Sequence, residues 1–381
     1  MFVPREKLAQ RIRDGLEHNP GVVLLGPRQC GKTTLARKIC EEIDPCEFFD
    51  LENPLDLARL ETPLLALEPL SGLVVLDEIQ RKPELFEILR VLMDSPKCEA
   101  SFLLLGSASP RLVRGVSETL AGRVTFVHMS GFTLDEIGGE NFMRLWLRGG
   151  FPRSYLAEND ELSFRWRMDF VQTFLERDIP QLGIHIPAQA LRRFWVMLAH
   201  YHGQIWNAST FAHSISTSQK TAKRYLDILT DAFVVRQLQP WFENIKKRQV
   251  KSPKVYVRDT GILHALLGME TERDLYYNPR LGASWEGFVV EQIVTMAHNT
   301  DIYFWATHAG TELDAMLMGG TKRIGIEIKY TDAPKITKSI RMAMKDLNLD
   351  YVYIVYPGRK TFPLEKKIDA LSIRDLSRIL A

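Results

Sequence analysis

The sequence is poor in the features that would place it in a specialised class. Its four cysteines (Cys30, Cys40, Cys46, Cys98) include no CxxC pair and no histidine at zinc-ligand spacing. They are too few and too clustered to staple 381 residues, so a reducing, cytoplasmic setting is expected. No run of 18 uncharged apolar residues occurs, and no membrane span is expected. The opening MFVPREKLAQRIRDG is amphipathic and charged from Arg5 onward, unlike a secretory leader. Repeats and low-complexity linkers are absent as well. Neither charge dominates: 49 Lys+Arg stand against 47 Asp+Glu, a net charge of +2. That balance excludes a polycation coating nucleic acid along its whole length, but it hides segregation. Residues 40–80 hold eleven acids and one base, Arg59, whereas residues 219–258 hold ten bases and three acids. What is present is the balance of a globular protein, 45% hydrophobic and 25% charged, with length for two or three domains.

Three stretches are expected. Residues 1–155 alternate short apolar runs (GVVLLG, LVVL, SFLLLG, RVTFVHM) with helical patterns, the signature of a parallel α/β sheet. Residues 156–278 read as helical, and residues 279–381 return to mixed α/β. The fold class is therefore α/β, with a helical middle.

Gly26-Pro27-Arg28-Gln29-Cys30-Gly31-Lys32-Thr33 matches GxxxxGK[ST] between a buried-strand pattern and a helical one, TTLARKICEEI, whose Thr34 is expected to join the nucleotide-binding set. The glycines let successive backbone N–H groups turn toward phosphate oxygens at the positive end of a helix. Lys32 would reach the β/γ-phosphates and the Thr33 hydroxyl would ligate Mg²⁺. A second strand, GLVVL, runs into Asp77 and Glu78. Asp77 would hold the metal's water shell and Glu78 would orient or deprotonate the attacking water. A third strand ends at Ser107 and Ser109, placed either to bond the γ-phosphate or merely to make a turn.

GPRQCGKTT, DLENP from Asp50, LDEIQ, LLLGSASP and ETLAGRV resemble the prokaryotic AAA+ ATPases that carry a C-terminal domain of unknown function, near the STAND ATPases. GASWEGFVVEQI, HAGTELDAML and IEIKYTDAP resemble that C-terminal domain, so the likeness spans essentially the whole chain. It implies an AAA+ ATPase domain using ATP and Mg²⁺, and a homo-oligomeric ring such as a hexamer. Pro152 in GGFPRSY is similar to the turn that packs on adenine in STAND ATPases, although a proline opening a helix reads equally well. Arg111, Arg114 and Arg123 follow the third strand, where such proteins carry an arginine that reaches a neighbour's γ-phosphate. Arg114 and Arg123 are preferred.

In the middle stretch, a short helix at Phe211-Ala212, a turn SISTSQ and a helix QKTAKRYLDILTDA have the order of a winged helix. VVRQLQPW and KVYVRD would form the wing. Tyr225, Leu226, Leu229 and Phe233 lie at core spacing. Lys220, Lys223 and Arg224, with Lys246, Lys247 and Arg248 in the wing, are the expected DNA contacts. Further on, Asp314 and a Glu327-x-Lys329 pair span a hairpin, and alternation would set them on one side of a sheet. Two carboxylates with Glu286 from a helix could hold Mg²⁺, and Lys329 could steady a scissile phosphate. This set resembles the PD-(D/E)xK nuclease superfamily, a restriction-endonuclease-like fold that is used for cleavage in some members and as a DNA clamp in others. His308 lies beside that set. His200, His202, His213 and the tryptophans 195, 206, 241 and 285 read as packing residues.

Two functions fit these residues: an ATP-driven protein acting on duplex or branched DNA, or a STAND-like switch in which ATP gates a nuclease-like or protein-binding effector. A DNA-binding module with a vestigial ATPase fits less well, because the ATP motifs are complete.

Overall fold

A computed structural model describes residues 3–380 except 108–114, 117, 182, 185, 244, 246, 298 and 299. The chain divides into two compact units, residues 1–131 with 231–233, and residues 132–230 with 234–381.

The first unit is built on five parallel strands: β1 (Gly21–Gly26), β2 (Cys46–Asp50), β3 (Ser71–Asp77), β4 (Glu99–Ser107) and β5 (Val124–His128). Their order is β2-β3-β4-β1-β5. Every residue of β1 is buried, because helices cover both faces of a parallel sheet and leave no polar side. Register aligns the functional ends: Gly26 pairs with Ser107, and Asp50 with Asp77. The carboxyl ends of β1, β3 and β4 therefore form one rim, where open α/β sheets bind ligands. Helix Lys32–Glu42 follows β1 directly. Cys40 and Cys46, with Cα atoms 5.5 Å apart, are disulfide-bonded across the turn from this helix to β2. No CxxC motif marks this bond, which closes only a local turn; the turn brings together two residues that no sequence motif links.

The second unit holds two sheets. The smaller is β6 (Gln204–Ile205), β7 (Val235–Leu238) and β8 (Lys254–Val257), in the order β6-β8-β7. With helices Ala208–Ser214 and Gln219–Asp231 it has the winged-helix arrangement expected of this stretch. Leu226 and Leu229 are buried, and Tyr225 is half-buried with its ring 5.5 Å from that of Phe194. The larger sheet runs β13-β14-β12-β11-β10-β9, with β9 (Asp301–Ala306), β10 (Glu312–Gly319), β11 (Lys322–Ile328), β12 (Tyr351–Tyr356), β13 (Phe362–Glu365) and β14 (Ile368–Ser372). It is mixed: β11, β12 and β14 are parallel neighbours and the other pairings are antiparallel.

Residues 132–155 also belong to the second unit, for packing reasons. The Trp146 ring meets Trp285 at 5.1 Å, and its indole N–H donates to Ser284 Oγ (2.9 Å). Thr260 donates to the Trp146 carbonyl (2.7 Å). Arg167, fully buried, donates to the carbonyls of Ser163, Leu147 and Gly261, and burial lowers its pKa to about 10. No helix among the described residues is long and apolar enough to cross a membrane.

Candidate functional site

The loop after β1 has the backbone that its sequence demands. Gly31 has φ 100° and Gln29 φ 63°, so the chain turns through left-handed conformations before helix Lys32–Glu42 begins. At Gly26 a Cβ atom would lie 2.2 Å from the Met129 carbonyl oxygen, so only glycine fits where the loop leaves the strand. Lys32, 5% exposed, points back into the loop and donates to the carbonyls of Gly26 (3.1 Å) and Pro27 (3.0 Å). The loop thus holds its own lysine in the place where phosphate oxygens would compete for it.

Two further strand ends converge on this loop. The Thr33 hydroxyl donates to Asp77 Oδ2 (2.6 Å), tying the first turn of the helix to the end of β3. Burial pushes the Asp77 carboxyl up, and the Thr33 bond opposes that rise. This hydroxyl–carboxylate pair is a hard-oxygen set of the kind that holds Mg²⁺ together with water and phosphate oxygens, so the residues present fit the ion. Glu78 sits at φ 55°, outside the line of the strand, and its backbone N–H donates to Asp77 Oδ1 (2.9 Å). Its carboxylate accepts from Gln80 Nε2 and lies 3.9 Å from the Arg28 guanidinium. Gln80 also donates to Ser107 Oγ (3.0 Å), linking the ends of β3 and β4.

Two residues with no expected role, Gln80 and Arg5, also join the site. Gln80 lies two residues past the acidic pair, in a short 3₁₀ turn (Ile79–Arg81), and this position after a DE pair is the signal that could have found it. Arg5, buried, donates to the carbonyls of Ser130 (2.9 Å) and Gly131 (3.0 Å) and approaches that of Cys30, bracing the loop from behind. Nothing in the local pattern marks it. Because Gln80 bridges Glu78 and Ser107, Gln80→Leu is expected to lower ATP turnover about tenfold with little change in nucleotide affinity. Phosphate release measured against nucleotide titration checks this.

A second charged cluster lies in the second unit. It contains Glu286, Asp314, Glu327 and Lys329, as the spacing predicts, but also Lys254 from β8 and Glu312. The Lys254 ammonium, 3% exposed, lies 2.9 Å from Glu286 Oε1 and 3.7 Å from Asp314 Oδ1, and it pairs with Glu312. Tyr256 donates to the same Glu286 oxygen (2.7 Å). Lys329 lies 2.9 Å from Glu327 and 3.8 Å from Asp314 Oδ2, the same oxygen that accepts from the Ile328 N–H (2.8 Å). Burial, with Asp314 beside it, pushes the Glu327 carboxyl up to about 7. Burial, with Glu286 beside it, raises that of Asp314. The carboxylates hold Lys254 well above the usual lysine range despite its burial. Among the described residues no group of three or more His, Cys, Asp or Glu is arranged to hold a metal ion. The acidic oxygens expected to share Mg²⁺ are turned onto an ammonium instead, so the expected metal does not fit this arrangement.

Comparison with known proteins follows the same division. A family model described as an AAA domain matches residues 18–138, and two models of domains of unknown function, DUF8612 and DUF4143, match residues 139–273 and 281–376. The uncharacterized protein Rv2008c of Mycobacterium tuberculosis is 51% identical over 371 residues, 97% of this chain and 84% of its own length. The uncharacterized protein Mb2031c of Mycobacterium bovis matches with the same figures. The chain belongs to their family, AAA-domain proteins with a C-terminal DUF4143 domain. The solved structure of the Walker-type ATPase PABY2304 of Pyrococcus abyssi shares the fold, with a TM-score of 0.51 at 15% identity over 70% of this chain and 96% of that one.

In this AAA-domain protein the other expected residues are distributed as follows. Ser109, Arg111 and Arg114 lie outside the described residues, as does Lys246. Arg123 precedes β5, at the end of the sheet opposite Gly26, and its guanidinium grips both oxygens of Asp94 (2.6 and 2.7 Å). Pro152 opens the short helix Pro152–Tyr155 of the second unit, the arrangement of a proline at a helix start. His308 is exposed.

The basic stretch 219–258 is less of a surface than its charge suggests. Lys254 is buried, and Arg236 and Arg258 both pair with Glu291 (2.6 and 2.8 Å). The wing is not a free hairpin tip either. Trp241 N–H donates to Phe304 O (2.7 Å), Val250 N–H to Ala306 O (3.0 Å) and His308 N–H to Arg248 O (2.9 Å), so the segment lies along edge strand β9 and covers it. Lys247 pairs there with Asp346. Lys220, Lys223 and Arg224 are exposed on helix Gln219–Asp231, with Lys223 bonded to Asp227 (2.7 Å).

Proposed function

We propose that this AAA-type P-loop ATPase hydrolyses ATP with Mg²⁺ and couples the cycle to DNA engaged through helix Gln219–Asp231. The observation that carries the hydrolytic reading is the meeting of Thr33, Asp77, Glu78 and Ser107 at the rim of one sheet, bonded through Gln80. Mg²⁺ bound with ATP would neutralise phosphate charge, held by Thr33 and Asp77. Lys32 would exchange its loop carbonyls for phosphate oxygens, and the amides of residues 28–34 would cradle them. Glu78 would accept the proton of the attacking water once Arg28 and Gln80 release it. In a ring of copies of this chain, a hexamer by likeness to AAA+ proteins, Arg114 or Arg123 would reach the neighbour's nucleotide. Arg123 would trade Asp94 for phosphate to do so.

DNA contact is supported by the exposed cations at the start of the second helix of a helix-turn-helix arrangement, where phosphates are met. The wing's Lys247 and Arg248 contribute less to this reading than their charge suggests, because that segment covers β9. The test is ATP turnover with single-stranded, duplex and branched DNA. Stimulation is expected, and none by any DNA would refute the coupling. Lys220→Ala/Arg224→Ala should weaken DNA binding about tenfold at low salt and reduce the slope of log affinity against log salt by about 2, one per lost phosphate contact.

One observation favours a second reading, an ATP-gated switch of STAND type. Glu78 is engaged by Gln80 and lies near Arg28, a resting arrangement that suits slow turnover. A switch would retain ADP through purification and turn over slowly with or without DNA.

A further inference from the structure

The carboxylate cluster of the second unit has the residues of a metal-dependent phosphodiesterase and the electrostatics of something else. Its four carboxylates face two lysines, and the buried one was not part of the expected set. Lys254 comes from β8, whose four residues are all buried. Alternation sends Lys254 and Tyr256 to one face, and both meet the same oxygen of Glu286 (2.9 and 2.7 Å). On its other sides the ammonium pairs with Glu312 and lies 3.7 Å from Asp314. A divalent ion serving Glu286 and Asp314 would need their oxygens at about 2.0–2.6 Å, in the space this ammonium fills. A buried cation with three anionic neighbours is held strongly, since removing either side leaves the other uncompensated in a medium of low polarisability.

We infer that Lys254 is the resident cation of this cluster, that it excludes a divalent metal, and that the cluster is a charged brace between the winged-helix strand β8 and the larger sheet. The brace has a second rung built the same way. Arg236 on β7 and Arg258 just past β8 both close on Glu291, five residues along the helix that carries Glu286. Winged-helix and nuclease-like parts are thereby joined through helix Leu281–Met296, whose two acids each receive cations from the small sheet. DNA handling by this protein then needs no cleavage at this site.

The test is Mn²⁺ binding to the nucleotide-free full-length protein, followed by electron paramagnetic resonance, with wild type, Lys254→Met, Asp314→Asn and the Lys254→Met/Asp314→Asn double variant. Wild type should show no Mn²⁺ binding that Asp314→Asn removes. Lys254→Met should gain one Mn²⁺ site at least tenfold tighter than any in wild type, lost again in the double variant. A folded Lys254→Met protein that binds no Mn²⁺ would overturn the claim that the lysine excludes the metal. If Lys254→Met does not fold, the wild-type arm decides alone. Stoichiometric Mn²⁺ binding, or Mg²⁺-dependent DNA cleavage, abolished by Asp314→Asn or Glu327→Gln would overturn the inference; insensitivity to both substitutions would support it.

Discussion

Replacing Glu78 by Gln is expected to lower steady-state ATP turnover at least about a hundredfold while leaving nucleotide affinity within about threefold of wild type. The substitution keeps the side chain's shape and its place beside Gln80, but removes the carboxylate next to Asp77, one that is not committed to Thr33. Asp77 cannot substitute, since its Oδ2 accepts from Thr33 and its Oδ1 from the Glu78 N–H. Lys32→Ala should act differently, weakening nucleotide binding itself, because the ammonium in the loop is what meets phosphate charge. Phosphate-release kinetics and titration with a fluorescent nucleotide separate the two. Equal turnover in Glu78→Gln and wild type would remove Glu78 from the chemistry.

The second large effect is acid instability of the second unit. His202 and His264 are buried, and burial lowers both pKa values to about 3. Their bonding requires neutral rings. His264 Nδ1 donates to the Leu147 carbonyl (2.9 Å), leaving Nε2 to accept from the Ser284 hydroxyl (2.7 Å), which accepts in turn from Trp146. His202 Nδ1 accepts from the Val257 N–H (3.0 Å), so a proton there would face another donor. A histidine with a depressed folded pKa contributes stability that is present above about pH 6.5 and lost as pH falls toward 3. Two pH units below 6.5, each costs on the order of 2–3 kcal/mol. Glu327 works in the opposite sense: pushed up to about 7, it is protonated in the folded state before it is in the unfolded chain, so its penalty is relieved as pH falls from 7 toward 4.5. Urea unfolding followed by near-ultraviolet circular dichroism, sensitive to the buried tryptophans 146, 195 and 285, should show falling stability below about pH 6. The fall should be steeper in Glu327→Gln, from which the compensating group is gone. A flat profile from pH 7 to 4.5 in that variant would contradict the neutral-ring assignment.

How far the site could be read from sequence depends on the distance over which its parts act. The phosphate loop is eight consecutive residues between a strand and a helix, and its chemistry lies mostly in backbone N–H groups that those residues orient. Asp77 and Glu78 were legible for a similar reason, as the place where an apolar run ends. Gln80 was not read, because its role is to meet Ser107, 27 residues away, across two strand ends. The Cys40–Cys46 bond carries no motif either, because the turn between them, not a spacing rule, brings them together.

The basic segment shows the other side. Its charge was plain, but charge does not say which way a side chain faces. On β8 every residue is buried, so alternation between polar and apolar residues could not reveal that Lys254 turns inward. Glu286, Asp314, Glu327 and Lys329 were correctly expected to gather, since hairpin register and strand alternation set their positions. Whether they surround a metal or a lysine depends on a residue from another sheet, dozens of positions earlier in the chain.

The glycine-rich loop, the acidic end of β3 and the parallel strands beneath both were legible in the residues, because each is a local consequence of residue type and spacing. What the remaining charges face emerges from the packing of distant segments. A buried charge takes its meaning from whatever lies within a few ångströms, and at Lys254, Arg236 and Arg258 those neighbours are carboxylates of a distant helix and strand.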